Sequence, residues 1–70
     1  RLGEYEEAAR ILSGVVEQAP DVAVFNYHLG MVYFRQGDTR AAKELLARAV
    51  DEKATYYGVD EARRVLGEIQ

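Results

Sequence analysis

His28 and Ser13 are the only side chains of their kinds in this 70-residue chain, and with an aspartate they would be the parts of a nucleophilic triad. They fall in different helical segments and in no signature context, so acyl-transfer chemistry is not expected. No cysteine is present, which removes thiol nucleophiles, thiolate metal sites and disulfides. The glycine spacings do not form a phosphate-cradling loop. The acidic residues sit mostly in first turns or opposite arginines, a solvated-face pattern without a carboxylate pair for acid–base work. No catalysis, cofactor or metal is expected, and recognition remains. Val24, Tyr27, Met31, Phe34 and Arg35 share one face at helical spacing. Aromatic, methionine and arginine side chains are enriched at binding patches. That face reads in three ways: core covered by the next helix, a ligand groove, or a surface for self-association. His28 is expected inside the helix pair or at its edge. Tyr56 and Tyr57 are expected to pack a loop against the last helix, with ligand contact as the alternative.

Helices must position these side chains. Pro20, Gly37 and Gly58 punctuate the chain into four segments, and nothing reads as a strand. The first helix is expected over residues 4–18, with Tyr5, Ala8, Ala9, Leu12, Val15 and Val16 at helical spacing. Glu4, Glu6 and Glu7 suit its first turn, where the helix dipole favours negative charge. Pro20 stops it, because a residue before proline is pushed out of the α region. Asp21 is the expected N-cap of a second helix over 22–36, and Gly37 its terminator. Asp38 is expected to cap a third helix over 39–52, burying Ala42, Leu45, Leu46, Ala49 and Val50. After a loop over 53–59, Asp60 is expected to cap a last helix over 60–70, with Ala62, Val65, Leu66 and Ile69 on one face. Glu6 with Arg10, and Glu44 with Arg48, are expected ion pairs in the favourable i,i+4 order.

Nine basic against twelve acidic residues give a net charge of −3, which argues against a nucleic-acid surface. No apolar run approaches the roughly 20 residues needed to cross a bilayer, so a soluble chain without membrane insertion is expected. No targeting signal is recognisable, and the compartment stays open. Arg1 reads as the middle of something, so the chain is expected to be a piece of a longer protein.

One stretch returns after 34 residues. Gly3-Glu4-Tyr5-Glu6-Glu7-Ala8-Ala9, Leu12 and Val15 come back as Gly37-Asp38-Thr39-Arg40-Ala41-Ala42-Lys43, Leu46 and Ala49. A period of this length signals stacked helical units. Gly30 is costly in mid-helix, by about 0.5–1 kcal/mol, which points to a close helix approach. Ala8 and Ala42 are the expected small partners across it. Ser13 and Gly14 have no such support and weaken the first helix.

Leu29-Gly30-x-x-Tyr33, then Gly37, then Ala42-x-x-x-Leu46 and Ala49, resembles the tetratricopeptide repeat, whose pattern runs W-x2-L-G-x2-Y, A-x3-F and a proline. Gly3, Tyr5, Ala8, Leu12, Val15 and Pro20 fit the second half of the same pattern. Asn26 stands in the tryptophan place, Leu12 and Leu46 in the phenylalanine places, and Ala54 where a second proline would be. The resemblance covers about one and a half repeats, from Leu2 to about Lys53.

It implies an all-α fold of antiparallel helix pairs stacked as a right-handed α-solenoid of about four helices. Residues 4–18 would be the second helix of a partial repeat, and 22–52 a complete pair. Residues 60–70 would be a polar-backed cap or the next repeat's first helix, since Leu66-Gly67 echoes Leu29-Gly30 at 37 residues. The resemblance implies a non-catalytic scaffold that binds a peptide or partner protein on a concave face lined by first helices. Val24, Tyr27, Met31, Phe34 and Arg35 would lie there. The family's carboxylate clamp of lysine, arginine and asparagine is not expected, because Tyr27, Met31 and Phe34 occupy those places. The groove should prefer an apolar or aromatic segment, with Arg35 as its one charged anchor. The alternative is a homo-oligomeric structural element that pairs through an uncovered first-helix face of Tyr5, Leu12 and Val16.

Overall fold

Pro20, Gly37 and Gly58 lie in the three connections where the chain changes direction. The structure is a computed structural model that describes residues 2–51 and 53–69. Its helices are α1 (Leu2–Gln18), α2 (Ala23–Arg35), α3 (Thr39–Ala49) and α4 (Val59–Ile69), with no strand among the described residues. The fold is all-α, as expected. Because α1 begins at Leu2, Glu4 alone of the three glutamates lies in its first turn.

The entry to α2 corrects one expected cap. Val22, in extended conformation, is the N-cap and has no side-chain hydrogen bond, so Asp21 sits one residue too early. The turn is held from inside the helix, where the Asn26 amide donates to the carbonyls of Pro20 at 3.0 Å and Val22 at 3.3 Å.

The exit from α2 matches its signal. Gly37 has φ of +86°, which favours glycine, and its N–H donates to Phe34 O at 3.0 Å. The Asp38 N–H reaches back to Tyr33 O at 2.9 Å, completing a Schellman closure. The Asp38 side chain then accepts from the Ala41 N–H at 3.2 Å and caps α3. Only residues 36–38 separate the two helices, so α3 folds back along α2 as a hairpin.

α3 stops at Ala49, short of its expected end, and residue 52 lies outside the described residues. Val50 leaves the helical region, and the Asp51 carboxylate accepts from the Lys53 N–H at 2.8 Å, a local turn that competes with another helical turn. The Tyr56 hydroxyl donates to Ala49 O at 2.6 Å, satisfying a carbonyl that the helix end leaves open. α4 starts at Val59, which puts Asp60 inside its first turn and corrects it as a cap; residue 70 lies outside the described residues. At that position Asp60 pairs with Arg63 at 3.3 Å.

Two clusters flank the α2–α3 hairpin. On one side Met31, Ala42, Leu46, Ala62 and Val65 are buried, with Tyr27, Phe34, Val50, Leu66 and Ile69 packed around them. On the other, Ala9, Leu29 and Leu45 are buried, with Leu12, Val16 and Val32 packed around them. α2 is apolar around much of its circumference because it has neighbours on both sides.

Gly30 makes the expected close approach, but to different partners. A Cβ there would lie 2.9 Å from Leu46 Cγ and Cδ2 and 3.3 Å from Leu45 Cβ. Its nearest neighbours are thus Leu46 and Leu45 of α3 rather than the expected Ala8 and Ala42. On the surface, Arg10 pairs with Glu7 rather than Glu6, because its fork meets both Glu7 oxygens, at 3.2 and 2.5 Å. That contact holds the Glu7 carboxyl below its ordinary range. No ion pair joins Glu44 to Arg48 among the described residues.

Candidate functional site

The face expected on α2 divides by depth. Met31 is 7% exposed and belongs to the core with Ala62 and Val65 of α4, which corrects it from a groove-lining side chain to a buried one. Tyr27 and Phe34 are half-buried and pack on that core. Val24 is half-buried outside the cluster, and Arg35 is exposed in the last turn of α2. The structure thus brings Tyr27, Met31 and Phe34 together on the core, with the Arg35 charge close enough to act on the Tyr27 hydroxyl and Val24 outside the cluster. Among the described residues, no group of histidine, cysteine, aspartate and glutamate side chains is arranged to hold a metal ion.

His28 takes the edge rather than the interior of the helix pair. It is exposed, with its ring 5.1 Å from that of Tyr27 and tilted by 52°. Of the α1 face of Tyr5, Leu12 and Val16, given as the alternative surface, Leu12 and Val16 pack against the Leu29 and Leu45 cluster, and all three residues stay half-buried. The exposed apolar side chain on α1 is Ile11, at 52%.

Nothing in the residue pattern anticipates what joins Tyr27 to α4. The Tyr27 hydroxyl donates to Glu61 Oε1 at 2.5 Å, across 34 residues of chain. This hydrogen bond to a carboxylate is the main reason the Tyr27 hydroxyl is pushed up to about 12, with burial and the Glu61 charge adding to it. The Tyr56 ring lies 5.4 Å from that of Tyr27, tilted by 40°. Burial also pushes the Tyr56 hydroxyl up, while Arg63 opposes the shift. Gly58, with φ of +104°, lets the loop pass: a Cβ would come within 2.8 Å of Tyr27 Cζ. Tyr57 corrects its expected packing role, since it is fully exposed.

A cavity of about 510 Å³ opens here between the middle of α2, the 55–58 loop and the start of α4. Tyr27 and Tyr56 give it aromatic walls, Tyr57 stands at its open margin, and Asp60 and Glu61 give it carboxylates. Glu61 is a first-turn acid by sequence, and only the docking of α4 onto α2 turns it towards Tyr27. The signal that was present is the Tyr56-Tyr57-Gly58 run, aromatic side chains beside a residue free to take positive φ.

The family profile described as Tetratricopeptide repeat matches residues 1–57. Among curated proteins and among solved structures, none matches the chain. The profile covers α1, α2 and α3 with the following loop, and ends before α4.

Proposed function

This chain belongs to the tetratricopeptide repeat family, and from that premise we propose that the exposed side of α2 and the adjoining start of α4 bind a peptide or partner protein without chemistry. Repeats of this family are typically non-catalytic scaffolds and point generally to protein-interaction modules. Among the described residues, no helix is long and apolar enough to cross a membrane.

In this reading α1 is the second helix of a partial repeat, α2 with α3 is a complete repeat, and α4 caps the stack or opens the next unit. The side of α2 that carries Val24, Tyr27, Phe34 and Arg35 is the concave one. The supporting observation is that Tyr27 and Phe34, two large aromatic side chains, stay only half-buried although Met31 between them is covered. Met31 supplies the floor beneath them. A segment with apolar or aromatic side chains would complete their burial, and Arg35 would hold an acidic group at one end. Leu12 and Val16 pack on the Leu29 and Leu45 cluster but stay half-buried, as does Tyr5, so self-association through that face is the alternative reading.

A random peptide library tests this. The chain is expected to enrich apolar or aromatic peptides, and Phe34→Ala with Arg35→Glu should abolish the enrichment while helicity by circular dichroism is retained. No enrichment, or enrichment indifferent to that pair, would overturn the proposal.

A further inference from the structure

The cavity beside Tyr27 has a chemistry that the rest of the α2 face lacks. Its lining includes two carboxylates, Asp60 and Glu61, and no lysine or arginine. Its volume of about 510 Å³ falls in the range of small-ligand sites. Tyr57 stands fully exposed at its margin, a ring without a covering group. Tyr27 and Tyr56 lean on each other as the inner wall, held by hydrogen bonds to Glu61 and to Ala49 O, so two of the three rings are fixed before any ligand arrives. Aromatic faces attract cations through the ring quadrupole, and nearby carboxylates add charge complementarity.

We propose that this cavity receives a cationic side chain, lysine or arginine, from the partner segment that lies along α2. The proposal rests on the partner-face reading and sharpens it. A bound peptide would place a basic residue at the Tyr27 end and an acidic one at Arg35, eight residues further along α2 and so about 12 Å away. The internal competitors are weak. Arg63 reaches Asp60 at 3.3 Å where the Asp60 side chain is 98% exposed, and Arg64 stands 3.7 Å from Glu61. Exposed pairs of this kind exchange partners at little cost. Glu61 has Oε1 engaged by Tyr27 and Oε2 3.7 Å from Arg64, so an incoming cation would displace only that longer contact.

The test titrates the whole chain with n-butylguanidinium and n-butylammonium, stand-ins for arginine and lysine side chains, followed through the tyrosine ring resonances by NMR. The same titration with n-butyrate and n-butanol supplies anionic and neutral controls of similar size. Saturable shifts at Tyr27, Tyr56 and Tyr57 are expected with the cations alone, weakening as salt is added. Tyr57→Ser and Asp60→Lys alter exposed side chains and should leave the fold intact, while each weakens cation binding by about two- to fivefold. Equal shifts with the controls, no saturable shift, or affinities unchanged in both variants would overturn the proposal. Cation binding alongside a peptide library that yields nothing would keep the cavity and sink the partner face. Library peptides without a basic residue, together with silent cation titrations, would keep the face and sink the cavity.

Discussion

The two flanks of the α2–α3 hairpin are built differently. Towards α4, fully buried Leu46, Ala42, Ala62 and Val65 surround Met31, and the Tyr27–Glu61 hydrogen bond adds a polar tie at the rim. Towards α1, the buried apolar residues among those described are Ala9, Leu29 and Leu45, and Leu12 and Val16 stay half-exposed. The polar element there is Asn26, which is buried and donates to Pro20 O, while its Oδ1 has no hydrogen-bond partner among the described residues. α4 is thus held by fully buried packing and a directed contact, α1 by an apolar seam that stays half-exposed. A binding surface that spans α2 and α4 therefore stands on the better-fixed flank.

The sharpest way to break this contrast is to empty one site on each flank. Leu46→Ala removes a fully buried side chain and should cost about 2–5 kcal/mol. A domain of this size holds only about 3–5 kcal/mol in all, so much of the population should unfold without denaturant. Leu12→Ala, at the half-exposed α1 seam, should cost about 1 kcal/mol. Urea unfolding followed by circular dichroism measures both, and equal losses would erase the distinction.

A second, smaller contrast lies between two glycines in mid-helix. Gly30→Ala drives a methyl group against Leu46, an overpacking cost of about 1–3 kcal/mol that the gain in helix propensity offsets only in part. Gly14→Ala meets nothing within 4 Å and should stabilise by about 0.5–1 kcal/mol. Opposite shifts in melting temperature are expected. Shifts of the same sign would mean that the hairpin relaxes around the added methyl group.

The smallest effect is confined to alkaline solution. The folded chain holds the Tyr27 proton up to about pH 12, whereas an unfolded tyrosine releases it near pH 10. The contribution of this tie is therefore complete below about pH 10 and is lost as pH rises through about 12. Stability should fall across that window, and Tyr27→Phe should fall less steeply. Identical slopes would show that the tie contributes nothing to the α4 flank.

The sequence carried the helices because their signals are local. Pro20, Gly37 and Asp38 act within a few residues of themselves, and the stripe from Ala42 to Ala49 repeats at helical spacing. Asp21 and Asp60 failed as caps because a side chain caps only from the residue at the helix boundary, and Asp21 stands one residue before Val22 while Asp60 lies inside α4. The site was harder to read. α2 is apolar on both sides, so spacing alone did not separate Met31, which α4 covers, from Tyr27 and Phe34, which it covers in part. The Tyr27–Glu61 contact and the stacking of Tyr56 arise only once α4 docks. The tightness at Gly30 was legible from its cost, but its partners were not, because the docking of α3 on α2 decides which residues face it.

Asp38 carries two duties that usually fall to separate residues: its amide ends α2 while its carboxylate begins α3. Fraying at that corner therefore loosens both helices at once, and the hairpin opens and closes as one cooperative unit rather than as two independent ends. The elbow works as a shared hinge pin, and whatever rests against either arm inherits its steadiness.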